Sequence, residues 1–244
     1  MKGGALKSGS PFAVVLAASL LTIARAAVVT VPAGHEPVNL ATSIAQLKSY
    51  HDSGRYMADM EYVDSKAKAY VSSHSSGRKR AIVFDVDETA LSNWAEMAAD
   101  DFAYFPDAGC DIVSGKPTSP CGALAWDRLE AAPAIGPTLA LFKLAKARGL
   151  TVFFITGRHE RERAVTTQNL IKAGYVGWDP KNLLMEADSL HVASAADFKA
   201  PERKWIEDKL GYTIVANVGD QLSDLAGGHA GRDFKLPNPF YHIP

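Results

Sequence analysis

Residues 81–90 read AIVFDVDETA, and the reading of this stretch decides the fold. Four apolar residues, two of them β-branched (Ile82, Val83), run directly into Asp85, with Asp87 two positions on and Thr89 after it. So short an apolar run ending in acids predicts a buried strand whose C-terminal end opens into a site. In open α/β sheets, ligands bind just outside such strand ends. Two carboxylates at this spacing share one face of a continuing strand or converge in a turn, and they repel unless a cation or a proton lies between them. Taken alone, the spacing favours the plainer reading of a strand followed by an Asx-type turn, because DxD recurs by chance in many chains.

The chain downstream repeats the pattern. Thr151–Ile155 is a second apolar run, ending in Thr156-Gly157-Arg158; Ile214–Val218 is a third, ending in Gly219-Asp220 with Asp224 four residues later. Leu183–Met185 and Phe234–Leu236 predict short strands, the latter at an edge because Pro237 follows. Between them the residue spacing predicts helices over 137–148, 160–173 and 201–210, the first opened by Pro137 and stopped by Gly149. Strands alternating with helices imply an α/β fold with a doubly wound, mostly parallel sheet.

Two segments lie outside this alternation. Residues 36–73 read as helix, broken near His51–Gly54, with apolar positions at Met57, Met60, Val63, Ala67 and Tyr70. This predicts a helical extension packed on the main body. Residues 94–133 are loop-rich and aromatic (Trp94, Phe102, Tyr104, Phe105, Trp126), and their place after the acid pair predicts a small cap-like insert. Most of these aromatics are expected in its core.

Residues 1–26 have the marks of a signal peptide: Lys2 and Lys7, an apolar core from Phe12 to Ile23, then Ala24-Arg25-Ala26. That core is shorter than the roughly 20 apolar residues of a spanning helix, so no membrane anchor is expected after cleavage. Residues 27–244 then suit a single domain in an exported protein. Twenty-six basic residues nearly balance 27 acids, and Arg78-Lys79-Arg80 is the only basic run, which argues against a nucleic-acid partner. The two cysteines, Cys110 and Cys121, share one loop, where export favours a disulfide over free thiols or a metal site.

Four motifs thus follow in order at strand ends and a helix: DxDxT from Asp85, a hydrophobic run into Thr156-Gly157, Lys199, and GDxxxD from Gly219. This order resembles the haloacid dehalogenase superfamily of phosphohydrolases. The likeness narrows to the secreted class B-like acid phosphatases, the group that includes the plant vegetative storage proteins. The stretches that carry it are YHDSGRY (50–56), FDVDETALSN (84–93), FFITGR (153–158), NLIKAGY (169–175), GDQLSDL (219–225) and FKLPNPFY (234–241). Phe198-Lys199-Ala200 stands where that group tends to have Tyr-Lys-Ser, and Leu222 where Trp is usual.

The resemblance implies an exported acid phosphatase that hydrolyses small phosphomonoesters through an aspartyl-phosphate. Asp85 would be the nucleophile and Asp87 the acid and then the base. Mg²⁺ would be held by the Asp85 and Asp220 carboxylates and the main-chain carbonyl of Asp87, in keeping with its preference for hard oxygens. Thr156, the Gly157 amide and Lys199 would bind the phosphoryl group, the first two at a strand-to-helix turn. Asp224 would hold a metal-bound water or Lys199. Glu88, Thr89, Asn93, Arg158 and Gln221 serve the site or merely cap helices and turns, and His159 has only its place beside the turn to suggest a role. A non-catalytic storage protein on the same fold, or a phosphotransferase to alcohols, remain the alternatives; oligomeric state is open.

Overall fold

The computed structural model describes residues 1, 34, 36–112, 120–190 and 192–244. Two compact units are resolved: Met1–Val38, where the few described residues form no helix or strand, and Asn39–Pro244, which holds every element below. The signal peptide expected over residues 1–26 lies outside the described residues, Met1 apart.

In chain order the elements are α1 (Leu40–Asp52), α2 (Arg55–His74), β1 (Arg80–Phe84), α3 (Trp94–Ala99), α4 (Ala123–Leu129), α5 (Gly136–Ala147), β2 (Thr151–His159), α6 (Arg163–Lys172), β3 (Leu183–Glu186), α7 (Ala195–Asp208), β4 (Thr213–Gly219), α8 (Leu222–Leu225) and β5 (Asp233–Lys235). The strands form one sheet, ordered β3-β2-β1-β4-β5, and every pairing is parallel. The acid-bearing strand is therefore the central one.

Strand side chains alternate between the faces, and both faces are covered. Ile82, Phe84, Val152 and Phe154 pack in one core with α2 and α5, while Ala81, Val83, Phe153 and Ile155 pack in a second with Phe198 and Ile206 of α7. A sheet buried on both sides needs apolar residues without alternation, which is why these strands read as continuous runs. Phe84 and Phe154 are wholly buried, each stabilising the fold by about 1.5–3 kcal/mol.

Three boundaries differ from the sequence reading. β2 runs on through His159, so Thr156, Gly157 and Arg158 lie in a strand with an irregular register instead of a turn, and a short 3₁₀ helix (Glu160–Glu162) follows. The first α-helix after that begins only at Arg163. α7 starts at Ala195, not Pro201, because Ser194 caps it by accepting from the Ala196 amide at 3.2 Å. Pro201 is carried inside the helix, which brings Lys199 into its first two turns. On α2 the buried stripe is Tyr56, Met60, Asp64, Ala67 and Val71, and Met57 faces solvent.

In the insert, the Cys110–Cys121 disulfide is formed. The chain crosses itself there so closely that a Cβ on Gly122 would lie 2.0 Å from the Ala108 carbonyl oxygen, so only glycine fits. Trp94 stacks on His51 of α1 at 3.6 Å, and Phe102 stacks on Phe240 at 5.6 Å, tying the insert to both ends of the fold. Trp126 is buried as expected, whereas Tyr104 is exposed.

Candidate active site

β1 ends against β4: the Asp85 amide donates to the Val218 carbonyl at 2.9 Å, which sets Asp85 beside the Gly219-Asp220 turn. A Cβ on Gly219 would lie 2.5 Å from that of Asp224, so glycine there is what lets Asp224 reach the strand end. Lys199 enters from α7 and donates to Asp85 Oδ1 and Asp224 Oδ1, both at 2.6 Å. All three side chains are more than nine-tenths buried. Burial, reinforced by the charges of Asp224, Asp220 and Asp87, pushes the Asp85 carboxyl well above its ordinary range even though Lys199 opposes it. Burial alone would lower Lys199, but Asp85 and Asp224 hold it above its usual value.

Asp220 is held by neutral donors. Thr89 Oγ1 donates to one oxygen at 3.0 Å, and the amides of Gln221 and Asn238 donate to the other at 2.7 Å each. Oxygens of Asp85, Asp220 and Asp224 all lie within 4.8 Å of one another. Three buried carboxylates thus face one ammonium among the described residues, a surplus of negative charge that a cation relieves. Their hard oxygens are the donors Mg²⁺ prefers, so the residues fit a divalent metal.

Asp87 is clamped from a different side. Arg158 reaches it with NH2 at 2.6 Å to Oδ1 and with Nε at 3.1 and 3.0 Å to Oδ1 and Oδ2, and Asn93 Nδ2 donates to Oδ1 at 2.8 Å. Burial would raise this carboxyl, but the charge and bonds of Arg158, with the bond from Asn93, hold it below its ordinary range. Burial likewise works against the Arg158 charge, yet Asp87 and Asp127 more than offset it. Asp127 lies 2.8 Å from Arg158 NH2. It is pushed up to about 8 by burial and by the nearby Asp87 and Glu162, against the pull of Arg158.

Glu88 sits in the left-handed region at φ 51°, which turns the chain sharply after Asp87. Its carboxyl accepts from the Asn93 amide at 2.6 Å, Asn93 Nδ2 at 3.0 Å and the Tyr241 hydroxyl at 3.2 Å, and burial raises it to about 8. Thr156 is buried in β2, two residues past the pairing of Phe84 with Phe154, and its hydroxyl accepts from the Arg158 amide at 3.1 Å. Gly157 beside it is exposed.

Asp85, Asp220, Asp224 and Lys199 therefore form one cluster, with Asp87, Thr156 and Gly157 at the same end of the sheet. Asn93 precedes α3 yet its side chain caps nothing; it bonds Asp87 and Glu88 instead. Arg158, Thr89 and Gln221 also turn out to touch site carboxylates. No hydrogen bond or ion pair joins His159 to Asp85 or Asp87 among the described residues, and its Nδ1 has no hydrogen-bond partner there. Asp127, Trp126, Asn238 and Tyr241 are not among the site residues read from sequence, because the contacts that bring them to the site span 18 to 153 residues.

Known proteins resemble this chain in sequence and in fold. The tomato (Solanum lycopersicum) protein "Acid phosphatase 1" is 34% identical over 200 residues, covering 81% of this chain and 73% of its own. "Vegetative storage protein 1" of Arabidopsis thaliana is 28% identical over 215 residues, covering 85% of this chain and 74% of its own. Among solved structures, a class C acid phosphatase from Bacillus anthracis with tungstate bound shares the fold, with a TM-score of 0.63 and 20% identity over 82% of this chain and 86% of that one. The family described as HAD superfamily, subfamily IIIB (Acid phosphatase) matches residues 17–244, and the chain belongs to it.

Proposed function

We propose that this protein hydrolyses small phosphomonoesters by carrying the phosphoryl group on Asp85. Family membership makes the chain a phosphomonoesterase; the proposal concerns how its residues do the work. The observation that carries it is Asp85 at the end of the central strand, 2.6 Å from the buried Lys199.

A phosphate monoester is a dianion, so attack requires neutralised oxygens, an in-line nucleophile and a protonated leaving group. An Asp85 oxygen attacks phosphorus as the ester P–O bond breaks, and Asp87 delivers a proton to the departing oxygen. Asp87, now a carboxylate, takes a proton from water as that water attacks the phosphoryl group; the P–O bond to Asp85 breaks and phosphate leaves. Lys199, Thr156 and the Gly157 amide bind phosphoryl oxygens. Mg²⁺, held by the Asp85 and Asp220 carboxylates and the Asp87 carbonyl, would add positive charge against those oxygens. Asp224 keeps Lys199 in place. Because Arg158 favours the Asp87 anion, acidic solution is needed to load Asp87 with its proton.

The insert is read as the cap over the leaving group. Export fits the disulfide, and no helix among the described residues is long and apolar enough to cross a membrane. A small phosphate ester is the proposed partner; Asp85 favours catalysis over storage.

Asp85→Asn tests the proposal. The variant should fold, bind phosphate and lose nearly all turnover, and acid quench of the wild type should trap phosphate on Asp85. Retention of more than about a tenth of the rate, a barrier change of only ~1.4 kcal/mol, would sink it. Product analysis with an added alcohol separates hydrolysis from phosphoryl transfer.

A further inference from the structure

Trp126 and Asp127, consecutive residues of α4 in the insert, each stand one hydrogen-bonded residue away from Asp87. Trp126 Nε1 donates to Asn93 Oδ1 at 2.9 Å, and Asn93 Nδ2 donates to Asp87 Oδ1 at 2.8 Å. Asp127 Oδ1 lies 2.8 Å from Arg158 NH2, the same nitrogen that donates to Asp87 Oδ1 at 2.6 Å. Two separate bridges from one short helix thus converge on one carboxylate oxygen. We propose that α4 orients the Asp87 carboxyl for proton transfer, with Trp126 and Asp127 as positioning residues acting through Asn93 and Arg158. The inference rests on the reading of Asp87 as the acid and base.

The bonding is uneven, and that gives the geometry its chemical sense. Oδ1 accepts from Asn93 Nδ2, Arg158 NH2 and Arg158 Nε, whereas Oδ2 accepts only from Arg158 Nε, at 3.0 Å, among the described residues. With its lone pairs engaged, Oδ1 is the anchored oxygen. Oδ2 is the one left to hold the proton, give it to the leaving oxygen and take the next from water. Rotation about the Cβ–Cγ bond would exchange the two oxygens, and the bridges oppose it.

The bridges can do this because α4 is itself fixed. Trp126 is 4% exposed. The Cys121 amide donates to both Asp100 oxygens at 3.0 Å, the Ala123 amide to the Phe105 carbonyl at 2.8 Å, and the disulfide ends one residue before the Gly122 cap. An insert that reads as a lid over the leaving group is thus also a brace for the proton donor. Outer contacts of this kind typically carry 10- to 100-fold effects when removed.

The experiment compares glycerol phosphate, whose alkoxide needs a proton to leave, with p-nitrophenyl phosphate, whose phenolate leaves unaided. Trp126→Phe removes Nε1–H and keeps a ring; Asp127→Ala removes the acceptor; Asp127→Asn keeps an acceptor oxygen as the conservative control. Thermal unfolding checks each variant, and if Asp127→Ala does not fold, Trp126→Phe carries the test. Expected are a fall in kcat on glycerol phosphate of about tenfold for Trp126→Phe and Asp127→Ala, little change in KM, and a p-nitrophenol burst rate reduced less than about threefold. Asp127→Asn should restore most of the loss. In an Asp87→Asn background, where the burst still reports phosphorylation, the same substitutions should change its rate less than about twofold. Equal losses in the phosphorylation step on both substrates, or losses that persist without Asp87, would overturn the inference and leave these residues a purely structural role. If Asp87→Asn alone separates the substrates while the α4 variants do not, only the inference about α4 fails. If Asp87→Asn lowers the rate of the phosphorylation step equally on both substrates, the acid reading fails and takes this inference with it.

Discussion

Lys199 and Asp85 form an ion pair of 2.6 Å in which both side chains are more than nine-tenths buried, and Asp224 shares the same ammonium at 2.6 Å. A buried pair of this kind is costly to break because the remaining charge has no water to turn to. Lys199→Met leaves Asp85, Asp220 and Asp224 facing one another. The variant should lose at least about 3 kcal/mol of stability without metal and regain part of it when Mg²⁺ is added. Its kcat/KM should fall by at least about a hundredfold, since one donor to a developing oxyanion commonly carries that much. Chemical denaturation with and without Mg²⁺ measures the first effect; unchanged stability in both would mean that the three acids do not share one charge balance.

Metal affinity should depend on Asp220 more than on Asp224. Both oxygens of Asp224 are already engaged, one by Lys199 and the other by the Gln221 amide at 2.8 Å. Asp220 has no ion pair among the described residues; the hydroxyl of Thr89 and the side-chain amides of Gln221 and Asn238 orient it without cancelling its charge. Asp220→Asn should raise the Mg²⁺ concentration that gives half the thermal stabilisation by at least about tenfold, and Asp224→Asn by less. The reverse order would show that Asp224 leaves Lys199 for the metal.

The Cys110–Cys121 bond closes a short loop at the base of the insert. By the chain-entropy model such a closure stabilises by about 3 kcal/mol. Changing both cysteines to serine should lower the unfolding midpoint accordingly. Non-reducing mass spectrometry of freshly prepared protein should show the two peptides linked. Two alkylatable thiols in that preparation would refute the bond, and a double-serine protein as stable as wild type would show that Gly122 and the Asp100 bonds hold the crossing unaided.

Much of this fold is legible because three strands are buried on both faces and so appear as unbroken apolar runs. Their ends announce Asp85, Thr156 and Asp220 directly. What does not follow from the runs are features whose cause lies across the molecule. β2 continues over Gly157-Arg158-His159, a polar stretch, because His159 finds Glu186 in β3 past a shift of register. The face of α2 is turned from its apolar reading because Asp64, a polar residue, is among those it buries. Arg158 looks the same in sequence whether it faces water or Asp87; only the parallel pairing of β2 with β1 decides between them.

Asp64 supplies the last prediction. It is fully buried where α2 packs on α5: Oδ2 accepts from the Thr138 hydroxyl at 2.9 Å, and Oδ1 has no hydrogen-bond partner among the described residues. Burial, helped by Glu61, raises its carboxyl to about 7 although the Thr138 bond and Lys68 oppose the shift. An unfolded aspartate titrates near 3.9. Between about pH 4 and 7 the folded protein therefore holds a proton that the unfolded chain gives up, so stability falls as pH rises through that window. Below it both states are protonated and the group contributes no pH dependence. Each tenfold change in proton affinity is worth about 1.4 kcal/mol, so the full effect is at most roughly 4 kcal/mol. Asp64→Asn keeps an oxygen for Thr138 and removes the titration. The variant should match wild type near pH 4 and become progressively more stable than it towards pH 8, as read from denaturant unfolding at a series of pH values. Parallel stability curves for the two proteins across that range would mean that Asp64 is charged when folded, and that water, not a proton, satisfies its free oxygen.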